Sequence, residues 1–415
     1  MLRTMVVLIM TGQIAFLPLQ AAPLTVEEAQ RRMLVQHPQL QANEAQWQAA
    51  NQQIIQVQAL PDPQFRIGLA NLPSGRFSLN DDPMSQLQLA LLQRLPYPGK
   101  LAVREALAEQ QADVQQAARD ELQLQLLAQV SQQWWALLAI EKARQILGHN
   151  RSLMRQLVGI TQTKYKVGEG LQQDVLLAQL ELSKLMEREL QLQGEYKAQR
   201  YLLNRLMGQP IDDVFILAEP EEESLPTLLP LTQLQKLAEE RPAIQGQRAQ
   251  VSVANYRYNL AEHDYRPDFQ LTAQYAFRDG WDDLFSVQLS MNLPLYSAQR
   301  QDPALSQRNS ELKQQRYQLQ NVQQQVESRI AVTVVRYQQL REQVGLLRDG
   351  ILPQARQTVD SMQVGYQVDK VDFLNLARAQ QTLYEYETQY WQTLSQARQL
   401  LAQLQAETAE EQVYE

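Results

Sequence analysis

KYKVGEGLQQDVLLAQLEL, running from Lys164 to Leu182, and GYQVDKVDFLNLARAQQTL, running from Gly365 to Leu383, are two copies of one design. Each has a Tyr and a Val, then a short break carrying Gly or Asp. A helical pattern then resumes, with apolar residues three and four apart. With a shift of about 201 positions, Tyr165 falls on Tyr366, Val167 on Val368, Val175 on Leu376, Ala178 on Ala379 and Gln179 on Gln380. One hairpin tip used twice means that the chain is two halves of one plan.

Outward from the first tip, no proline occurs between Lys100 and Gln209. The pattern predicts a descending helix from Leu101 to about Val167, about 100 Å long, and a returning helix from Leu171 to Met207 of about 55 Å. On the returning arm Val175, Ala178, Leu182, Leu185, Leu192, Tyr196, Leu203 and Leu206 follow the spacing of a coiled-coil seam. Ahead of it, Leu24 to Leu60 reads as a helix opened by a Thr25/Glu28 capping box and broken after His37 by Pro38. Then the period changes to two. Phe65, Ile67 and Leu69, and after a polar stretch Leu87, Leu89 and Leu91, alternate with polar or small residues, predicting two strands of about 9–11 residues. The second ends at Leu95-Pro96-Tyr97-Pro98-Gly99-Lys100, which turns the chain into the descending helix.

The second half repeats this. Leu231 to His263 is helical, with Arg241-Pro242 where the first half has His37-Pro38. Strands follow through Phe269, Leu271, Ala273, Tyr275 and Phe277, and through Phe285, Val287, Leu289, Met291 and Leu293. A descending helix from about Ala304 to Gln363, the second tip, and a return from Val371 to Gln405 complete it. The organisation is therefore a leader at 1–22, a first repeat at 23–209, a connector at 210–230, a second repeat at 231–406 and a polar, disordered tail at 407–415. In the connector, Val214, Phe215, Ile216 and Leu217 look half-buried, which favours a belt against the helices over a solvated linker.

Composition narrows the function classes. The chain has 415 residues, a net charge of -8, and 20% charged residues. Its mean hydropathy is -0.42. No basic stripe supports nucleic-acid binding, and the absence of cysteine excludes disulfides and thiolate metal sites. Arg3, the apolar run from Met5 to Leu17 and Ala21-Ala22 form a secretory signal peptide. No later apolar run approaches the ~20 residues of a spanning helix. A membrane-bound form must therefore use strands. The four strands offer one apolar face and, as an open sheet, two edges. Four are too few to close a barrel, which takes about eight. Three copies supplying twelve make the smallest symmetric assembly with an open pore. A soluble α+β protein with a small sheet is the other reading of the same strands.

These features resemble the TolC-type outer-membrane efflux family, across essentially all of the chain after the leader. The second tip, GYQVDKVDFLNLARAQQTLYEYE from Gly365, carries the resemblance most specifically. Pro61 to Pro73 (PDPQFRIGLANLP) and Arg94 to Lys100 (RLPYPGK) are similar to its heavy-metal branch, the CusC/CzcC-like proteins. The resemblance implies a mainly α fold with a small β part and an internal two-fold repeat. It implies a homotrimer: a twelve-stranded barrel among outer-membrane lipid continuing as a helical periplasmic tunnel. It implies docking to a periplasmic adaptor and to a proton-driven inner-membrane pump, and export of metal cations. Export of drugs or of a secreted protein, and a coiled-coil scaffold without a pore, are the competing readings.

A passive conduit needs no catalytic group and no cofactor, and none is evident. His37, His149 and His263 lack ligand spacing, so each is read as a surface or packing residue. Arg66, Arg76 and Arg278 flank the strands, Trp281 and Tyr275 suit an interfacial belt, and Trp134-Trp135 reads as helix packing. The resemblance places an aperture at the tips. Asp174, Asp369 and Asp372 are the available carboxylates, and threefold repetition would make an acidic ring that favours cations. Asn375 and Arg378 stand where the family often has aspartates, so its usual gate links do not transfer. Caps at helix starts are the alternative role for the aspartates. Adaptor contact falls to Tyr165, Val167, Gly168, Gly170, Tyr366 and Val368 at exposed turns.

Overall fold

A computed structural model of the chain describes residues 23–75, 78–220, 223–410 and 412–414. The leader and Arg76 lie outside the described residues. The elements run α1 (Val26–Gln36), α2 (Pro38–Gln58), β1 (Gln64–Ala70), β2 (Gln86–Leu95), α3 (Lys100–Lys166) and α4 (Gln172–Met207). The second repeat runs α5 (Leu231–Leu237), α6 (Pro242–His263), β3 (Phe269–Phe277), β4 (Leu284–Met291), α7 (Gln301–Leu346), α8 (Leu352–Gln367) and α9 (Phe373–Thr408).

Punctuation in the sequence explains the boundaries. Thr25 caps α1 by accepting from the Glu28 N–H at 3.2 Å, and Pro38 opens α2 as its first residue. Gly99 and Gly208 take left-handed backbone at the start of α3 and the end of α4. A side chain at Gly208 would sit 2.7 Å from the Gln36 carbonyl oxygen, so this close approach of chain segments also needs glycine.

α3 is the spine. Beside it α2 and α4 stack end to end, tied by Arg119–Glu44 at 2.8 Å and by Arg151–Glu189. On its other side lie α6 and α9, linked by the Ser395 hydroxyl to the Trp135 carbonyl at 2.8 Å. α7 runs beside α6 and then α9. The seam read on α4 is the one used, with Ala178, Leu192, Leu203 and Leu206 buried. Trp134 and Trp135 pack edge to face at 5.1 Å among core residues, and the Trp134 indole donates to the Leu24 carbonyl at 3.0 Å.

The strands form one antiparallel sheet in the order β1-β2-β3-β4. Register puts Phe65, Leu91, Ala273 and Val287 in one row and Ile67, Leu89, Tyr275 and Phe285 in the next. These rows share a face, and it is uncovered: Phe65 is 67% and Phe285 70% exposed. Gln64, Arg66, Gln88, Gln274 and Ser286 lie on the other face. β1 and β4 each have one unpaired edge within the chain. Trp281 is exposed beyond β3. Among the described residues no helix is long and apolar enough to cross a membrane.

Three expectations need correction. The connector is a belt, yet only Phe215 and Leu217 turn inward; Val214 and Ile216 are 70% and 72% exposed, because an extended segment alternates its sides. The described part of the tail, expected to be disordered, packs against the body. α9 continues to Thr408, Val413 is buried, and the Leu229 N–H donates to the Val413 carbonyl at 3.1 Å. The connector thus holds both ends of the described chain, since Leu24 pairs with Leu217 and Tyr414 with Leu228. Finally, the second descending arm is not one helix, for a π-helical turn from Leu347 to Ile351 separates α7 from α8.

Candidate functional site at the helical tip

The two tips close with one backbone device. In the first, the Gly168 and Glu169 N–H groups donate back to the Tyr165 and Lys164 carbonyls at 3.1 and 2.9 Å. In the second, the Asp369 and Lys370 N–H groups donate to Tyr366 and Gly365 at 3.4 and 2.9 Å. Gly168 and Asp369 occupy the left-handed position of this helix-terminating motif, with φ of 81° and 58°. Aspartate tolerates that region better than most side chains.

The paired hairpins enclose a small core of Met154, Leu157, Ala178, Tyr366, Phe373 and Leu376. This overturns the expected place of Tyr366. It is 5% exposed and meets Phe373 edge to face at 5.9 Å, whereas its repeat counterpart Tyr165 is 47% exposed. The two turns are alike in backbone, but only the second turns its tyrosine toward the neighbouring hairpin. Val167, Val368, Gly168 and Leu171 remain exposed at the apex, with Gly170 half-buried behind them.

The carboxylates do not act as one cluster. The Lys164 ammonium pairs with Asp369 and donates to the Tyr366 carbonyl at 3.0 Å, lying 4.7 Å over the Tyr366 ring. Asp372 is the N-cap of α9, accepting from the Asn375 N–H at 2.8 Å and from its side-chain amide at 3.2 Å. Asp174, in the first turn of α4, has its carboxyl pushed above the usual range by burial and then by the charge of Asp372. Burial, followed by Asp174 and Asp369, likewise raises the Tyr366 phenol. Arg378 is exposed and has no carboxylate partner among the described residues. Asp174 and Asp372 are therefore brought together, Asn375 is taken up by a cap, and Arg378 stands apart.

The sequence reading missed Lys164. Its only signal was a cation in the first tip where the second has Gly365, in a motif otherwise matched. Among the described residues no group of three or more His, Asp or Glu side chains could hold a metal ion.

A family model described as outer membrane efflux protein matches residues 29–209 and 233–410, one segment per repeat. No match among curated proteins reaches significance. Solved structures resemble the whole fold. The outer-membrane channel OprN is 17% identical with a TM-score of 0.79, over 92% of this chain and 89% of that one. The outer membrane protein VceC from Vibrio cholerae is 16% identical with a TM-score of 0.77, over 93% and 96%. CusC, described by its transmembrane channel formation, is 16% identical with a TM-score of 0.79, over 92% and 91%.

Proposed function

The chain belongs to the outer membrane efflux protein family, and from that premise we propose that it is the exit duct of a tripartite efflux system. Membership makes it an outer-membrane efflux channel component, not an enzyme. In this reading three copies pair β4 of one with β1 of the next, and twelve strands close a barrel. The helices continue it as a periplasmic tunnel, and the tips meet an adaptor and a proton-driven inner-membrane pump.

The observation that carries the proposal is the sheet. Its apolar face is bare and its edges are open within the chain. An isolated chain would leave that surface and those backbone groups in water, whereas a closed ring in lipid covers both. The test is the native chain extracted from outer membranes. A detergent-stable trimer that collapses to monomers on heating and conducts in planar bilayers is the expected result; a detergent-free soluble monomer would overturn it.

For cargo, the reading is heavy-metal cations. It is supported by the resemblance of Pro61–Pro73 and Arg94–Lys100 to the heavy-metal branch and by the tip carboxylates of Asp174 and Asp372. Selection would rest with the pump, because the described residues offer no chelating cluster. Cells lacking the chain should lose tolerance of transition-metal salts while keeping tolerance of dyes and detergents. The reverse pattern assigns the duct to organic cargo.

A further inference from the structure

The strands carry charge of one sign only. Across β1, β2, β3 and β4 there are two arginines, Arg66 and Arg94, and no aspartate or glutamate. Both arginines lie on the face opposite the apolar one, because Arg66 pairs with Ala90 and Arg94 stands four residues further along β2. The polar residues beside them are uncharged, with amides at Gln64, Gln88 and Gln274 and hydroxyls at Thr272 and Ser286.

The two arginines differ in their surroundings. The register of β1 and β2, continued by two residues, sets Asp62 opposite Arg94 and offsets that charge. Arg66 has no such neighbour. Its row across the sheet is Arg66, Ala90, Gln274 and Ser286. It is exposed and makes no ion pair among the described residues. Its neighbours on this face are small, Gly68 along β1 and Ala90 across to β2, and a side chain on Gly68 would meet nothing within 4 Å. The guanidinium therefore has open space around it. In the proposed ring the free edge of β1 meets β4 of the next copy. β4 holds no carboxylate, so no register of that seam delivers one to Arg66 from a strand. Asp283, just ahead of β4, is already engaged: it accepts from the Arg278 N–H at 3.0 Å and from the Tyr275 hydroxyl.

Resting on the reading of the chain as an exit duct, we propose that the Arg66 guanidinium groups of three copies form an anion-binding ring on the inner wall of the barrel. Its ligands are small oxyanions of the inorganic phosphate kind, and its charge preference is opposite to that of the tip carboxylates. Twelve strands about 4.8 Å apart and tilted by about 40° enclose a backbone radius of about 12 Å, into which each arginine extends. The ring then lies within a Debye length of the axis at about 0.1 M salt, where that length is about 10 Å, and beyond it at about 1 M, where it is about 3 Å. Guanidinium suits the task, since it grips two oxygens at once. A metal cation crossing this level leaves in the company of the anions gathered there.

The test uses the full mature chain in planar bilayers under a KCl gradient near about 0.1 M. Arg66→Gln matches the amide lining already present. It should lower the chloride-to-potassium permeability ratio by about three- to tenfold, whereas Arg66→Lys should keep it. The drop should shrink as the salt approaches about 1 M. Inorganic phosphate added on the barrel side should reduce the current of the unsubstituted pore and spare Arg66→Gln. A pore whose reversal potential and phosphate response are unmoved by Arg66→Gln overturns the ring and leaves the duct reading standing. An unsubstituted chain that forms no pore overturns both. If Arg66→Gln does not insert, Ser286→Cys reads the ring with Arg66 in place, since it lies in the same row and the chain has no other thiol. A sulfonate-bearing methanethiosulfonate should label it several-fold faster than the trimethylammonium reagent, each taken relative to its rate with free cysteine. Equal relative rates overturn the ring.

Discussion

Lys164 reaches from the end of α3 to Asp369, the one left-handed aspartate of the second tip, and its ammonium also meets the Tyr366 carbonyl at 3.0 Å. It is the only ion pair between the two hairpin tips among the described residues. Asp369 is 65% exposed, so the charge pair by itself contributes at most ~1 kcal/mol. The ammonium over the Tyr366 ring adds ~0.5–1 kcal/mol. Lys164→Met should therefore loosen the tip by about 1–2 kcal/mol, a factor of about 5–30 in its open population. Trypsin cleavage after Lys166 or Lys370 reads that population directly, and Asp369→Asn should accelerate it less.

Glycine appears once in each tip at a steric crossing, but on opposite strands. A side chain at Gly170 would stand 2.9 Å from Lys164 Cβ, and one at Gly365 2.6 Å from Val371 Cγ2. Lys164 aligns with Gly365 and Gly170 with Val371, so the repeat keeps the crossing and exchanges its partners. Gly365→Ala should cost about 1–3 kcal/mol by overpacking. Val371→Ala should recover most of that loss, because it removes the clashing methyl. Thermal melts of the two single variants and the double variant form the cycle that checks it.

Asp174 gives a pH signature. Its folded-state value is raised, first by burial and then by Asp372. The folded chain therefore holds this proton more tightly than the unfolded chain, and the charged form is destabilising above the raised value. Asp174→Asn should raise the melting temperature at neutral pH. The advantage should shrink as pH falls through the raised value and vanish below the ordinary 3.8. A gain that persists at lower pH would point to packing instead of charge.

The helices and strands were legible because their signals are local. The proline-free run after Lys100, the glycines at 168 and 208 and the alternation through Phe65, Ile67 and Leu69 each act within a few residues. What escaped depends on partners far along the chain. Tyr366 and Tyr165 are indistinguishable in the repeat, yet one is core and the other surface, because burial is decided by the neighbouring hairpin. Val413 sits in a polar tail but is buried by the connector, whose strand-like pairing has no sequence period long enough to read. Pro353 was visible, but a single proline in a long helix does not say whether the chain will kink, stop or widen by one residue.

The clearest energetic consequence of these distant pairings lies at Arg241, which precedes Pro242 at the start of α6 and is 3% exposed. Its guanidinium grips Glu121 of α3 through two nitrogens, at 3.0 and 2.5 Å, and pairs with Glu407 at the end of α9. Arg329 adds a weaker contact to Glu407 at 3.5 Å. Arg241→Met would leave two largely buried carboxylates facing a gap, which should cost about 3–5 kcal/mol. Glu407→Gln should cost less, since Arg241 keeps its two bonds to Glu121. Adding Glu407→Gln to Arg241→Met should recover part of the loss by removing one of the stranded charges. Denaturant unfolding of the three variants measures the ranking. Equal losses in Arg241→Met and Glu407→Gln would mean that the arginine acts through Glu407 alone and that Glu121 contributes little.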